Sequence, residues 1–271
     1  MLIKPVAGDG AKSHIDADGI VYEIGFLKDE NGEGLSLAAT LRAVKKRMND
    51  ILEATEAESF QAYLTGGNNF RDKIATIQPY KGERDRDSRP EHFDNIREYL
   101  VNYWDAVVVD GMEADDALSI AIWEDFRANG NDDWASFKYA AKSIICSRDK
   151  DLNNVAGWHY SWAVGKSKEK PVHWISKEEA DYHFYKQLLT GDKIDNIKGL
   201  SGTKAEPGIG PKAAEKILKD CSDVYSYYST VRDQYILKYE EKADEYLVEN
   251  ARLLWMLTHP KDVWRPPVEE T

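Results

Sequence analysis

Between residues 35 and 57 the apolar side chains Leu37, Leu41, Val44, Met48, Ile51 and Leu52 recur at helical spacing, which predicts a long amphipathic helix. Upstream, Ser13-His-Ile-Asp16 followed by Gly19-Ile-Val-Tyr-Glu-Ile-Gly25 predicts a short strand that ends near Asp16 and turns into a helix. Ser59-Phe-Gln-Ala-Tyr-Leu64 reads as a strand stopped by Gly66-Gly67. Residues 91–104 read as a helix, Ala106–Val109 as an apolar strand, and Glu113–Phe126 as a helix with Leu118, Ile122 and Phe126 on one face. Ser143-Ile-Ile-Cys-Ser147 is a further buried strand, and beyond about residue 175 the pattern is helical, with helices predicted over 211–219 and 239–257. Alternating strands and helices favour an α/β layer structure with a mainly parallel sheet. Ligands of such sheets gather at the carboxyl ends of the strands. Asp16, Asp110 and Asp149 each follow a strand-like segment, so acidic residues are delivered to one edge.

Composition narrows the class. The 271 residues are 42% apolar and 31% charged, enough apolar mass for a substantial core. No apolar run approaches the roughly 18 residues needed to span a membrane, and the first residues lack a secretory pattern, so no membrane partner and a cytoplasmic location are expected. Cys146 and Cys221 are far apart and in no CxxC spacing, which points to neither a zinc site nor a disulfide framework. A net charge of −12 runs against the basic footprint of nucleic-acid binders. Placement matters more than the sum, because divalent cations held by clustered carboxylates offset their charge locally.

Three acidic groups stand out. Glu113, Asp115 and Asp116 open a helix, where acidic side chains are also ordinary caps stabilised by the helix dipole. Asp149 and Asp151 lie two apart beyond a strand, on the same side of an extended chain, although a loop with two exposed aspartates is equally ordinary. Asp192 and Asp195 lie three apart in Gly191-Asp-Lys-Ile-Asp-Asn-Ile-Lys-Gly199, where capping again explains Asp192. The combination is stronger than any pair, since each sits where an element meets the expected sheet edge. Magnesium, a hard cation that prefers carboxylate oxygen, would suit such a set, and a pair of ions can activate water and stabilise a leaving oxygen in phosphoryl displacement.

These segments together resemble the 5′-nuclease family of flap endonucleases and 5′–3′ exonucleases, especially bacteriophage exonucleases and the 5′-nuclease domains of bacterial DNA polymerases. HIDADGIVY is similar to the family's first strand and metal aspartate, FRDKIATIQPYKGER to its arginine and arch motif, and MEADDALSIA to its acidic helix. SRDKDL resembles its paired aspartates, and GDKIDNIKG with GIGPKAAEKIL its last aspartate pair leading into a helix-hairpin-helix variant. The resemblance implies a PIN-like α/β nuclease core over residues 1–175, with a flexible arch at about 78–100, and a helical DNA-binding region over 176–271. It makes Asp16, Glu113, Asp115, Asp116, Asp149, Asp151, Asp192 and Asp195 the metal-binding carboxylates, with Asp115 and Asp149 central to catalysis. Lys81 and Arg84 would act on the scissile phosphate. Arg71, Tyr80, Lys81, Arg84 and the hairpin residues Gly208, Gly210 and Lys212 would contact DNA. Without the motif context, YKGERDRDSR would be a solvated loop and GIGPK an ordinary helix cap.

The implied cofactors are two Mg2+ ions, with Mn2+ able to substitute, and K+ at the hairpin. The implied partners are double-stranded DNA with 5′ ends, nicks or flaps and RNA primers in RNA–DNA hybrids, bound by a monomer. Two departures stand against the pattern. The family ends its second strand with an acidic residue, whereas Thr65-Gly-Gly-Asn-Asn-Phe70 offers none, so one metal would rely on water or on Thr65 and the remaining acids, with Asp18, close to Asp16 in the chain, the first candidate if Thr65 does not serve. SGTKAE is inserted ahead of Pro207. Competing readings are a PIN-class ribonuclease, which lacks the arch and hairpin, and a non-catalytic DNA-binding module.

Overall fold

A computed structural model describes residues 10–83, 88–130, 132–202 and 207–268. Strands β1 (Lys12–Asp16), β2 (Ser59–Thr65), β3 (Val107–Val109), β4 (Ser143–Cys146), β5 (Gly157–Ser161) and β6 (Lys170–Ile175) form one sheet in the order β3-β2-β1-β4-β5-β6. Every neighbouring pair is parallel except β5 with β6. In register, Ile15 lies opposite Ala62 on one side and Cys146 on the other. A central strand of a parallel sheet is covered on both faces, and β4 is accordingly buried along its whole length. The fold is therefore α/β, with a mostly parallel sheet flanked by helices.

The helices are α1 (Ala17–Gly25), α2 (Leu37–Thr55), α3 (Phe70–Ile74), α4 (Phe93–Trp104), α5 (Ala114–Asn129), α6 (Trp134–Ala140), α7 (Lys177–Thr190), α8 (Pro211–Leu218), α9 (Val224–Tyr239) and α10 (Ala243–Leu254). Side-chain caps set several of their starts. Ser36 accepts from Ala39 N ahead of α2, and Ser176 with Glu179 forms a reciprocal capping box at α7. The expected helices and strands up to residue 147 are present within a few residues of their predicted limits. The pattern of the sequence does not mark strands β5 and β6 or helices α3, α6 and α9.

Two apolar clusters organise the molecule. One packs α1, α2 and α5 on the sheet through Ile15, Val44, Met48, Ile51, Leu118 and Ile122. The other joins α7 to α10 through Phe184, Leu188, Leu218, Val231, Tyr235 and Leu247, and takes in Tyr80 from the earlier part of the chain. Tyr80 thus anchors the segment after α3 on the C-terminal helices. Among the described residues no helix is long and apolar enough to cross a membrane.

Candidate active site

Because β1 to β4 run parallel, their carboxyl ends share one edge, and the chain leaves each strand there with a polar residue. Asp16 ends β1 and starts α1, its Oδ1 accepting from Gly19 N at 3.1 Å. Beyond β4, Ser147 Oγ donates to Asp16 Oδ2 at 2.8 Å and accepts from Asp149 N at 2.9 Å. One hydroxyl therefore ties the ends of two adjacent strands and sets the spacing of two carboxylates. At the start of α5, Glu113 and Asp116 form the capping box that places Asp115 in the first turn. Asp16, Asp18, Glu113, Asp115 and Asp149 line a single cavity of 460 Å³, with Lys81, Arg97 and Arg148 on its walls.

Burial, and after it repulsion from neighbouring carboxylates, raises the proton affinity of Asp16, Asp18 and Asp115. Burial, followed by repulsion from Asp18, pushes Asp16 up to about 7. Burial and then the Asp149 and Asp16 charges hold Asp115 well above the ordinary carboxylate range. Burial raises Asp18 as well, against hydrogen bonds from Thr65 and the charge of Arg97. Glu113 goes the other way, since the burial that would raise it is outweighed by Lys81 and Arg71. Lys81 forms an ion pair with Glu113, and its Nζ lies 3.7 Å from Asp195.

A second group lies alongside. Lys150 Nζ bridges Asp151 at 2.8 Å and Asp192 at 2.5 Å, and Gln187 donates to Asp151 at 2.9 Å. Burial, then the Asp149 charge, pushes Asp151 up to about 6. Asp192 caps its own turn, its Oδ1 accepting from Ile194 N and Asp195 N, and that turn closes on Gly191 and Gly199. Both glycines adopt positive φ, and a Cβ on either would fall within about 2.5 Å of the other's strand of backbone. The Tyr80 hydroxyl joins the two groups, 2.7 Å from Glu113 Oε2 and 2.9 Å from Asp195 Oδ2. Among the described residues no three donors already converge on one point at coordination distance. The donor set nevertheless fits a hard divalent cation, because it is all carboxylate oxygen and its mutual repulsion is what such a cation relieves.

Several expected site residues are placed differently. Asp116 is wholly buried and faces Arg71, whose guanidinium donates to its two oxygens at 2.5 and 2.8 Å. Arg71 also donates to the carbonyls of Leu253 and Trp255. The pair is an interior strut: Asp116 does not line the acidic cavity, and Arg71 has no surface to offer DNA. Asp110 reaches the sheet edge but is held outside the cavity by Asn68. Arg84 and residues 203–206 of the insertion lie outside the described residues. Gly208 and Gly210 precede α8, with Gly210 at its cap and Lys212 exposed in its first turn.

Thr65 and Asp18 lie side by side at the end of β2. Thr65 Oγ1 accepts from Ala114 N, while Thr65 N donates to Asp18 Oδ2 at 2.8 Å. Arg97 holds the other Asp18 oxygen at 3.0 Å and the Thr65 carbonyl at 2.8 Å. Asp18 thus stands at the tip of β2, where the strand itself supplies no acid. Arg97 was missed because it lies on the polar face of α4, where nothing in the spacing separates it from a solvated cation. Arg148 and Lys150 interleave the aspartates of SRDKD and could have been read there.

No protein-family model matches the chain. It is 25% identical over 231 residues to the flap endonuclease Xni of Vibrio parahaemolyticus serotype O3:K6, covering 80% of this chain and 79% of that one. It is 26% identical over 251 residues to DNA polymerase I of Geobacillus stearothermophilus, covering 88% of this chain and 26% of the polymerase. Among solved structures, T5 5′-exonuclease with bound zinc superposes with a TM-score of 0.57 at 17% identity, covering 90% of this chain and 89% of that one.

Proposed function

We propose that the chain is a member of the 5′-nuclease family, a divalent-metal-dependent nuclease hydrolysing DNA phosphodiesters near 5′ ends, nicks and flaps. The observation that carries this reading is the meeting of Asp16, Asp18, Glu113, Asp115 and Asp149 in one cavity at the sheet edge, with Lys81 beside them. Asp16, Asp18, Glu113, Asp115 and Asp149 would hold one cation, and Asp149, Asp151, Asp192 and Asp195 a second. When bound, Mg2+, or Mn2+ in its place, supplies the charge that these carboxylates lack and the activation of water for in-line displacement.

The protein's own groups do the positioning. Ser147 fixes Asp16 against Asp149. Lys81, whose backbone N–H donates to the Asp195 carbonyl at 2.9 Å, carries a cation to the cavity wall, where it stabilises charge developing on the phosphoryl group. Tyr80 keeps Glu113 and Asp195 in register. The Gly208–Lys212 turn presents backbone N–H groups and a helix start to a duplex phosphate, with K+ as an added counter-ion there. Residues 1–175 form the nuclease part and 176–271 the part that holds duplex as a monomer, with RNA–DNA hybrids as further substrates.

The test is cleavage of end-labelled flap, nicked, gapped and blunt DNA with Mg2+, with and without EDTA. Chelation and the separate variants Asp115→Asn and Asp149→Asn should each abolish turnover in folded protein. Metal-independent cleavage, or full activity in either variant, overturns the proposal.

A further inference from the structure

The hairpin made by β5 and β6 serves no purpose in the site described so far, yet the topology brings its open end to the acidic edge. β5 is parallel to β4, so it ends beside Asp149, and antiparallel pairing returns β6 from the same edge, with Ser161 opposite Lys170. The connection is ordered: Val164 and Ser167 exchange backbone hydrogen bonds at 3.1 and 2.9 Å across a turn that contains Gly165 at φ 56°.

Between this hairpin and the segment after β4 lies a second cavity of 430 Å³, lined in part by Arg148, Lys150, Lys168 and Lys170. Only Asp149 and Glu169 bring opposite charge. Arg148 and Asp149 also line the acidic cavity, so the two spaces meet at those residues. Arg148 is turned to the Trp162 carbonyl and Lys150 to Asp151 and Asp192, whereas Lys168 and Lys170 are exposed and form no ion pair among the described residues. In a chain of net charge −12, cations concentrated against the carboxylate edge point to an anion that passes there.

We propose that this groove binds the sugar–phosphate backbone of DNA within one or two nucleotides of the scissile phosphate, with Lys168 and Lys170 as its phosphate contacts. The proposal rests on the nuclease reading but is separable from it. The groove shares Arg148 and Asp149 with the acidic cavity, whereas Lys81 lines the acidic cavity alone of the two.

The experiment measures binding of a fluorescent flap duplex by anisotropy, in Ca2+ and across a range of salt, for the parent, Lys168→Ala/Lys170→Ala, Lys168→Arg/Lys170→Arg and a control, Lys45→Ala, exposed on α2. Loss of two phosphate contacts should lower the slope of log K against log salt by about 2 and weaken binding several-fold at low salt, with the arginine pair near the parent. A slope and affinity equal to those of the parent, or a loss no larger than that of Lys45→Ala, overturns the groove while leaving the nuclease reading intact. A parent that fails to cleave would instead strike at that reading.

Discussion

Replacing Arg71 by alanine separates an interior strut from a DNA contact. The guanidinium donates to both Asp116 oxygens and to the Leu253 and Trp255 carbonyls, with side-chain exposures of 2% for Arg71 and 0% for Asp116. Alanine removes the cation and leaves the carboxylate buried with only the Leu257 and Glu113 amides as donors. Removing one partner of a buried pair costs about 3–5 kcal/mol, much of it the desolvation of the charge left behind. At roughly 2–3 °C per kcal/mol for a chain of this size, the melting midpoint should fall by about 6–15 °C. The assay is urea and thermal unfolding of the parent, Arg71→Ala and the double variant Arg71→Met/Asp116→Leu. The double variant should recover much of the loss, because no unpaired charge remains inside. A single variant that melts within about 2 °C of the parent while losing DNA affinity would show that Arg71 meets phosphate after all.

Lys81→Ala should mainly lower the single-turnover rate, whereas Lys212→Ala should mainly weaken binding and flatten its salt dependence; identical kinetic profiles would contradict that division. Asp18→Asn should weaken Mn2+ binding measured by calorimetry about tenfold or more while the fold persists, and adding Thr65→Asp should restore it; unchanged affinity in Asp18→Asn would remove Asp18 from the donor set. His159 is held neutral by burial, its pKa lowered to about 3 despite the Val155 carbonyl that accepts from Nε2 at 2.8 Å. The unfolded chain takes up that proton near pH 6.5, so stability is lost as pH falls from there toward 3. His159→Gln should gain on the parent by about 1.4 kcal/mol per pH unit below 6.5, and a difference flat in pH would refute the assignment.

Much of this was legible in the chain. Residues with strong periodicity, such as those of α2 and α5, and strands closed by glycine pairs, such as β2, announce themselves locally. Helix α9 does not, because Val224-Tyr-Ser-Tyr-Tyr-Ser-Thr-Val231 is rich in residues that favour strands, and packing of Tyr227, Val231 and Tyr235 overrides that preference. Strands β5 and β6 hide for a different reason: Trp158, His159 and Tyr160 are buried in succession, so no alternation marks a strand. Within the site, motif order located the carboxylates but not their facing. Asp115 and Asp116 are adjacent letters, yet one turns to the cavity and the other to Arg71, since neighbouring helical positions point about 100° apart. Arg97 acquires meaning only when α4 lies across the tip of β2.

Glu249 in α10 accepts hydrogen bonds from the amides of Thr76 and Ile77 at 2.9 and 2.8 Å, and from the Thr76 hydroxyl, in the segment that leads to Tyr80 and Lys81. These contacts close loops of more than 170 residues. Such closures cost entropy before they return any stability, so they belong late in folding. A growing chain can pair β1 with β2 and β4 before α10 is made, but the segment leading to Tyr80 and Lys81 gains its contacts with Glu249 only once α10 arrives. The carboxylates of β1, β4 and α5 can thus assemble ahead of the segment that carries Lys81, which waits for its contacts with α10. In pulsed hydrogen exchange during refolding, protection of the Thr76 and Ile77 amides should rise with that of α10 and lag that of β1.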